Sequence, residues 1–266
     1  MDIQLYFILS FTFIINLLGT FAYSTRIAGI KTNQLAISFA MFNVMILISR
    51  LSNSFQAPLL AKRVEENLTI QNSMLENDFR LIILSATFAT IIGIVMTPTF
   101  QRFLTKIVYL FAKFQSIPRM IIAGVSYNGF MLIKNSLKMP NVRSIKDLLS
   151  KDKIPFKYLL FNMLATAMWT VGVLASIYAG YLNPELRVTS SQLSSIINGF
   201  ATIMLVILID PRVALITDEV SKQIREESYL QRTVFALMIS RLFGTLLAQI
   251  LFTPSAKLIA YIANII

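Results

Sequence analysis

The chain contains neither cysteine nor histidine. Their absence excludes disulfides, thiolate nucleophiles, imidazole bases and the usual ligands of zinc and haem. Acidic residues are scarce as well, with 13 Asp and Glu against 24 Lys and Arg, and only Asp210 comes close to the interior of an apolar segment. A relay of embedded carboxylates, an acidic sodium site or an aspartate-held metal for phosphotransfer therefore has no residues to use. We expect neither an enzyme nor a bound metal or cofactor.

Long apolar segments dominate the rest of the chain. Hydrophobic residues make up 56% of its 266 residues, and a helix needs about 20 apolar residues to cross a hydrocarbon core of roughly 30 Å. Six runs are long enough: residues 3–23, 35–60, 81–98, 156–182, 193–209 and 233–252. The first lacks the basic start of a secretory signal, so it is predicted to be a retained span. The sequence predicts an all-α polytopic integral membrane protein with one transmembrane domain over residues 1–266.

The basic region between the third and fourth spans, residues 99–155, is open to two interpretations. Residues 100–114 alternate basic and bulky apolar side chains, a pattern typical of an amphipathic helix lying in the membrane interface. Residues 120–133 are uncharged, but helix of this length extends only about 21 Å, which is short for a crossing and compatible with a re-entrant segment. Residues 139–155 are predicted to form a polar basic loop. If both apolar segments cross, the protein has eight spans instead of six.

Lysine and arginine are unevenly distributed between the two sides of the predicted membrane. Of the 24, 17 lie in the segments after the first, third and fifth spans, 5 lie on the opposite side, and Arg50 and Arg241 lie within spans. Under the positive-inside rule this bias places both termini outside the cytoplasm. The net charge of +11 then belongs mainly to the inner face, where it attracts anionic membrane lipids. Nucleic acid is not an expected partner, because no RNA- or DNA-binding motif accompanies the charge.

The same four residues, ISRL, occur twice inside apolar spans and contain Arg50 and Arg241. An arginine near the bilayer midplane costs roughly 2.5–3.5 kcal/mol on insertion scales and needs protein, water or an anionic ligand beside it. Arg26 lies 24 residues before Arg50 in the segment TRIAGI, and Arg212 lies 29 residues before Arg241 in the segment PRVALI. This weak repeat predicts two similar helix pairs that face one cavity. The embedded arginines either bind negative charge there, or they pair locally with carbonyls or snorkel.

Amide side chains accompany the first embedded arginine at helical spacing. Asn43, Asn53 and Gln56 lie on the same predicted span, and the two asparagines share its polar face. These amides are predicted to line a polar path through the membrane. The alternative is hydrogen bonding between helices, with Asn16 and Asn198 on neighbouring spans as partners.

The triplet Asp210-Pro211-Arg212 marks the inner end of the fifth span. Asp210 has two expected roles there: it pairs with Arg212, or it caps the following amphipathic helix by accepting from that helix's free N–H groups. Capping is the favoured interpretation.

Two stretches carry a family resemblance. Residues 22–64, AYSTRIAGIKTNQLAISFAMFNVMILISRLSNSFQAPLLAKRV, and residues 209–220, IDPRVALITDEV, resemble the Amj family of alternate lipid II flippases of Gram-positive bacteria. The resemblance extends over the whole chain, although the family has no short catalytic signature to transfer. It implies movement of the undecaprenyl-pyrophosphate-linked peptidoglycan precursor from the inner to the outer leaflet of the bacterial cytoplasmic membrane.

The embedded charges suit such a substrate, because guanidinium offers paired donors to phosphate oxygens. Arg50 and Arg241 are expected to bind the pyrophosphate, and Arg26 and Arg212 are expected to make the entry contacts at the inner face. Six helices are few to enclose so large a head group, so we expect either a homodimer or a groove that leaves the lipid tail in the bilayer. A carrier of another anionic lipid or organic anion, and a scaffold without transport activity, remain alternatives.

Overall fold

The computed structural model describes residues 2–70, 75–114, 136 and 154–266. Within these ranges the chain is helical and contains no strand, which confirms the predicted all-α class. The helices are α1 (Ile3–Phe21), α2 (Ser24–Thr32), α3 (Leu35–Ile70), α4 (Leu75–Phe114), α5 (Phe156–Leu182), α6 (Arg187–Gln192), α7 (Ser194–Ile203), α8 (Asp210–Ser221) and α9 (Glu227–Ala263).

Six helical segments of the described chain are long and apolar enough to cross a membrane, as predicted. Five of them are regular helices: α1, α3, α4, α5 and α9. The fifth span in chain order is composite, because a 3₁₀ turn (Pro184–Leu186), α6, α7, a π-helical turn (Met204–Ile209) and α8 follow one another along it. A π turn fits one extra residue into a helix and is frequent at functional sites. This one places Asp210 directly after it.

Helix α4 is longer than the predicted third span. It continues past Pro98 to Phe114, so the segment expected to form a separate interfacial helix is its C-terminal extension. Leu104 and Val108 in this extension are buried against the rest of the protein, and an amphipathic pattern does not distinguish such packing from an interfacial position. Because residues 100–114 continue α4, they do not make the separate crossing that the eight-span alternative required. The uncharged segment 120–133 lies outside the described residues, as does most of the basic loop.

Helices α5 and α9 form the closest helix pair of the bundle. A Cβ added to Gly244 of α9 would lie 2.6 Å from the carbonyl oxygen of Met163 on α5, so only glycine permits this approach. Asn162 Nδ2 donates to the carbonyl of Leu237 at 2.9 Å, which fastens the same two helices through a buried polar bond. The pair forms one wall of the site described below.

An ion cluster joins three helices at the predicted outer end of the bundle. Arg63 of α3 donates to both carboxylate oxygens of Asp2, at 2.8 and 2.9 Å, and twice to Asp78 of α4, at 2.7 and 3.0 Å. Asp2 also caps α1 by accepting from the N–H of Leu5 at 3.0 Å. The Arg63 guanidinium, followed by the Leu5 N–H, holds the pKa of Asp2 below its ordinary value. The cluster fixes the spacing of α1, α3 and α4.

Candidate substrate-binding cavity

A cavity of about 180 Å³ lies among α1, α3, α5, α9 and the composite fifth span. Its charged lining residues are Arg26, Arg50, Arg241 and Asp210, and the remainder of the lining is mostly apolar. The structure thus brings three of the four sequence-predicted arginines into one space, although they are distant in sequence. The cavity carries an excess of positive charge inside an otherwise apolar bundle.

Arg241 is deeply buried, to the same extent as Arg26. Its side chain donates from Nη2 to Asn16 Oδ1 at 3.2 Å, and its buried Nε has no acceptor among the described residues. A Cβ added to Gly19 would lie 2.5 Å from Nη2, so the glycine makes room for the guanidinium against α1. Within the described chain no carboxylate lies at ion-pair distance from Arg241. Its positive charge is therefore solvated by the Asn16 amide and the nearby Tyr23 hydroxyl rather than neutralised.

Arg50 lines the same cavity from α3 but is exposed. No described residue forms a hydrogen bond or salt bridge with its side chain, while its backbone carbonyl accepts from Ser54. The two ISRL copies thus place their arginines on one cavity at different depths. Arg50 is the accessible contact and Arg241 the buried one.

Arg26 pairs with Asp210 across the cavity. Arg26 Nη2 lies 3.2 Å from Asp210 Oδ1, and the Arg26 guanidinium also lies over the ring of Phe39, 5.6 Å from its centroid. Burial lowers the pKa of Arg26 from its ordinary value, and the Asp210 charge opposes that effect. This ion pair links α2 to the start of α8.

The expected roles of Asp210, capping α8 or pairing with Arg212, are wrong. Asp210 is itself the first residue of α8, and the chain enters it directly from the π turn, so no free first turn is left for a cap. Its hydrogen-bond donor is Arg26. Arg212 points elsewhere: it does not line the cavity, and its guanidinium lies 5.9 Å from the ring centroid of Tyr158.

A second, smaller cavity of about 30 Å³ lies beside the first and shares Ile15 and Trp169 with it. Its polar lining consists of Thr12, Asn16, Asn53, Gln56, Thr170 and Asn198. Asn53 and Gln56 thus lie where a polar path would continue. Asn43 is exposed and lines neither cavity.

Hydrogen bonding between helices accounts for part of this polar lining. Gln56 Nε2 donates to Thr12 Oγ1 at 2.6 Å and thereby joins α3 to α1, which matches the alternative role considered for the amides. Asn198 differs, because its buried Oδ1 has no donor among the described residues. The second cavity therefore combines helix fastening with an unoccupied polar acceptor.

Sequence reasoning missed the contribution of α5. Thr166, Trp169 and Thr170 line the cavities from this helix, and their spacings of three and four place them on one face. The sequence did contain a signal for this helix, because polar or amphipathic side chains at helical spacing in an apolar span form a polar stripe along one face of the helix. Asp210 was missed as a cavity residue because its partner, Arg26, is 184 positions away.

Comparisons with known proteins identify the family of this chain. The model of the family described as "Amj: Alternate to MurJ" matches residues 11–263. The lipid II flippase Amj of Bacillus subtilis (strain 168) is 35% identical over 262 residues, which cover 98% of this chain and 97% of that relative. No solved structure shows significant similarity. The resemblance found in the sequence is confirmed, and the chain belongs to the Amj family.

Proposed function

We propose that this protein is a lipid II flippase, which moves the undecaprenyl-pyrophosphate-linked precursor from the inner to the outer leaflet of the bacterial cytoplasmic membrane. The observation that carries the proposal is the cavity, where three arginines accompany a single aspartate inside apolar helices. Membership of the Amj family supports the choice of substrate, since the Bacillus subtilis relative is named a lipid II flippase. The activity is transport and not catalysis.

The charges of the cavity suit a pyrophosphate. Arg26 is offset by Asp210, whereas Arg50 and Arg241 have no carboxylate partner among the described residues. A pyrophosphate that bridges two groups is doubly ionised at neutral pH, and each guanidinium can donate two parallel hydrogen bonds to its oxygens. Arg50 makes the accessible contact and Arg241 the buried one, while Arg26 receives the substrate at the inner face. Arg212, the other expected entry contact, lies over Tyr158 outside the cavity and is given no role here.

The size of the cavity determines how the substrate is held. Pockets for drug-sized ligands measure roughly 300–1,000 Å³, so a cavity of about 180 Å³ admits a pyrophosphate but not the glycopeptide head. Helix α3 and the composite fifth span both line the cavity, and in the described part of the chain they share the Arg187–Glu65 pair at 3.7 Å but no extensive packing. We propose that this gap is a groove open to the bilayer, in which the lipid tail stays among the membrane lipids. Enclosure by a second copy of the chain is the alternative arrangement.

The head group then follows the second cavity. Asn53 and Gln56 offer amide groups to its sugars and peptide, and Asn198 contributes the unpaired acceptor. Because these groups lie next to the arginines, widening of the groove moves the phosphates and the head group along one polar surface. Alternating access requires α3 and the fifth span to separate on one side at a time.

Purified protein in vesicles that contain fluorescent lipid II tests the proposal. A membrane-impermeant quencher reports the labelled fraction in each leaflet, with and without an imposed proton gradient and membrane potential. We expect translocation faster than in protein-free vesicles, and no comparable acceleration for labelled phosphatidylglycerol. Equal acceleration of both lipids would favour a general carrier of anionic lipids. If neither lipid moved under any of these conditions, the flippase proposal would fail and a scaffold role would be favoured.

The proposed orientation, with both termini outside, is tested separately. The chain has no native cysteine, so a single introduced thiol reports its own position. We expect Glu185→Cys to react with an impermeant maleimide in intact cells and Gln223→Cys, which is also exposed, to react only after permeabilisation. The opposite result would invert the orientation and leave the cavity chemistry unaffected.

A further inference from the structure

The cavity contains a negative charge of its own. Asp210 is the carboxylate among its lining residues, and its Oδ1 accepts one hydrogen bond from Arg26 Nη2 at 3.2 Å. The side chain of Asp210 is 43% exposed and that of Arg26 is 9% exposed. The acid is therefore the accessible partner of the pair, and the arginine is enclosed by protein.

Two buried donor atoms on arginines that line this cavity have no acceptor in the described part of the chain: Arg26 Nη1 and Arg241 Nε. Buried polar atoms in proteins are normally paired, so an orphaned donor indicates a missing acceptor. The single bond to Asp210 uses only part of the donor capacity of Arg26, which can form two parallel bonds with a phosphate. The site is thus incompletely satisfied by its own aspartate.

We propose that Asp210 is the resident counter-ion of this cavity, which Arg26 exchanges for a phosphate group of the lipid-linked substrate. This inference rests on the flippase function proposed above. Three uncompensated arginines would bind a pyrophosphate tightly, but a transport site must also release its ligand. Asp210 lowers the affinity because it occupies Arg26 and repels the incoming anion. When Asp210 returns to Arg26, release is favoured.

The helix geometry around Asp210 allows this exchange. The π turn Met204–Ile209 precedes it and Pro211 follows it, and proline has no N–H to donate. On the π turn Val206 and Ile207 are exposed, whereas Leu205, Leu208 and the buried Ile209 pack with Val213 and Leu237. A change of register would therefore move this small cluster together with Asp210. A change between π and α geometry would rotate Asp210 about the helix axis by up to about 100°, which moves its carboxylate away from Arg26.

Binding of undecaprenyl pyrophosphate in detergent to the purified full-length protein tests the exchange. We expect Asp210→Asn to bind this probe about tenfold more tightly than the wild type and to translocate lipid II more slowly, because release becomes limiting. Asp218→Asn is the matched control: it makes the same change on the same helix, where Asp218 lies on the surface and, of the described residues, pairs with Lys222. It should change neither affinity nor rate. Thermal stability is measured for every variant.

A double variant distinguishes exchange from a structural ion pair. Arg26→Gln combined with Asp210→Asn should lose the tighter binding, because the arginine that gains the phosphate is gone. Unchanged or weaker binding in Asp210→Asn at normal stability would overturn the exchange, even if the wild type flips lipid II. If the wild type does not flip lipid II, the proposed function fails, and tighter probe binding by Asp210→Asn would still identify Asp210 as a competitor for anions.

Discussion

Arg63 and Arg241 are equally buried, each with 8% of its surface exposed, but their surroundings differ completely. Arg63 makes four hydrogen bonds to two carboxylates. Among the described residues Arg241 donates to the amide oxygen of Asn16, interacts with the Tyr23 hydroxyl, and keeps an unpaired Nε, with no carboxylate beside it. The comparison teaches that burial alone does not identify a binding arginine. The outer cluster has satisfied its cation with protein, whereas the cavity has left a cation with capacity for a ligand.

The largest expected effect comes from removing the under-satisfied charge. Arg241→Gln should lower lipid II translocation by about tenfold to a hundredfold, since a charge-assisted hydrogen bond contributes about 1.5–3 kcal/mol. Stability should hold or rise, because no buried carboxylate loses its partner. Arg241→Lys should restore part of the rate, as it retains charge without paired donors. Vesicle translocation and thermal unfolding measure the two properties. Normal transport in Arg241→Gln would remove this residue from the mechanism.

Arg63→Gln should show the reverse pattern. It leaves Asp2 and Asp78 without their shared cation, so we expect a loss of about 1–2 kcal/mol in stability, limited by the exposure of Asp2. Transport per folded molecule should remain near normal. Arg187→Gln is the control, because Arg187 is half exposed and makes only a 3.7 Å surface pair with Glu65. A transport defect in Arg63→Gln without destabilisation would erase the distinction between the two arginines.

Arg50 sharpens the comparison within the cavity. It lines the same space as Arg241 but is exposed, so fewer protein contacts hold its guanidinium in place, and ordering it on a phosphate costs more side-chain entropy. Arg50→Gln should therefore reduce translocation by only about two- to fivefold. Measuring the rate against lipid II concentration separates capture from movement, and we expect the effect mainly at low concentration. A larger loss of translocation in Arg50→Gln than in Arg241→Gln would contradict the assignment of Arg50 as the accessible contact and Arg241 as the buried one.

The smallest effect concerns the pH dependence of the outer cluster. The pKa of Asp2 is lowered below its ordinary value of 3.8 by Arg63 and by the Leu5 N–H, so the folded state favours the ionised acid. The stability it adds is complete above pH 3.8 and is lost as the pH falls through the lower folded-state pKa. The difference in thermal stability between wild type and Asp2→Asn should be constant near neutral pH and should shrink as the pH falls into the acid range. A difference that grew in acid would contradict this ion pair.

The spans were predictable because their signal is simple. Apolar length determines whether a helix can cross, and an arginine within such a run is conspicuous because of its insertion cost. Arg50 and Arg241 were therefore recognised as partners in one cavity. The repeat that linked them also equated Arg26 with Arg212, and here it misled: Arg26 lines the cavity, while Arg212 lies over Tyr158. Short repeats predict similar local structure but not equivalent neighbours.

Other features depend on contacts that a single sequence does not encode locally. The partnership of Arg26 and Asp210 requires the tertiary fold. The continuation of α4 beyond Pro98 depends on packing of Leu104 and Val108, and proline is tolerated in membrane helices when neighbouring groups compensate. The π turn before Asp210 has no recognisable sequence signature. Each of these features affects the site, which explains why its general location was easier to predict than its charge balance.

Trp169 gives the molecule an internal optical reporter. It is the single tryptophan of the chain and lines both cavities, so the tryptophan fluorescence of the unlabelled wild-type protein, excited at wavelengths that its tyrosines do not absorb, originates at the site itself. Emission from an indole shifts to longer wavelength as its surroundings become wetter or more polar. Opening of the groove and arrival of a phosphate should therefore be visible as spectral changes in real time, without a dye and without altering any residue.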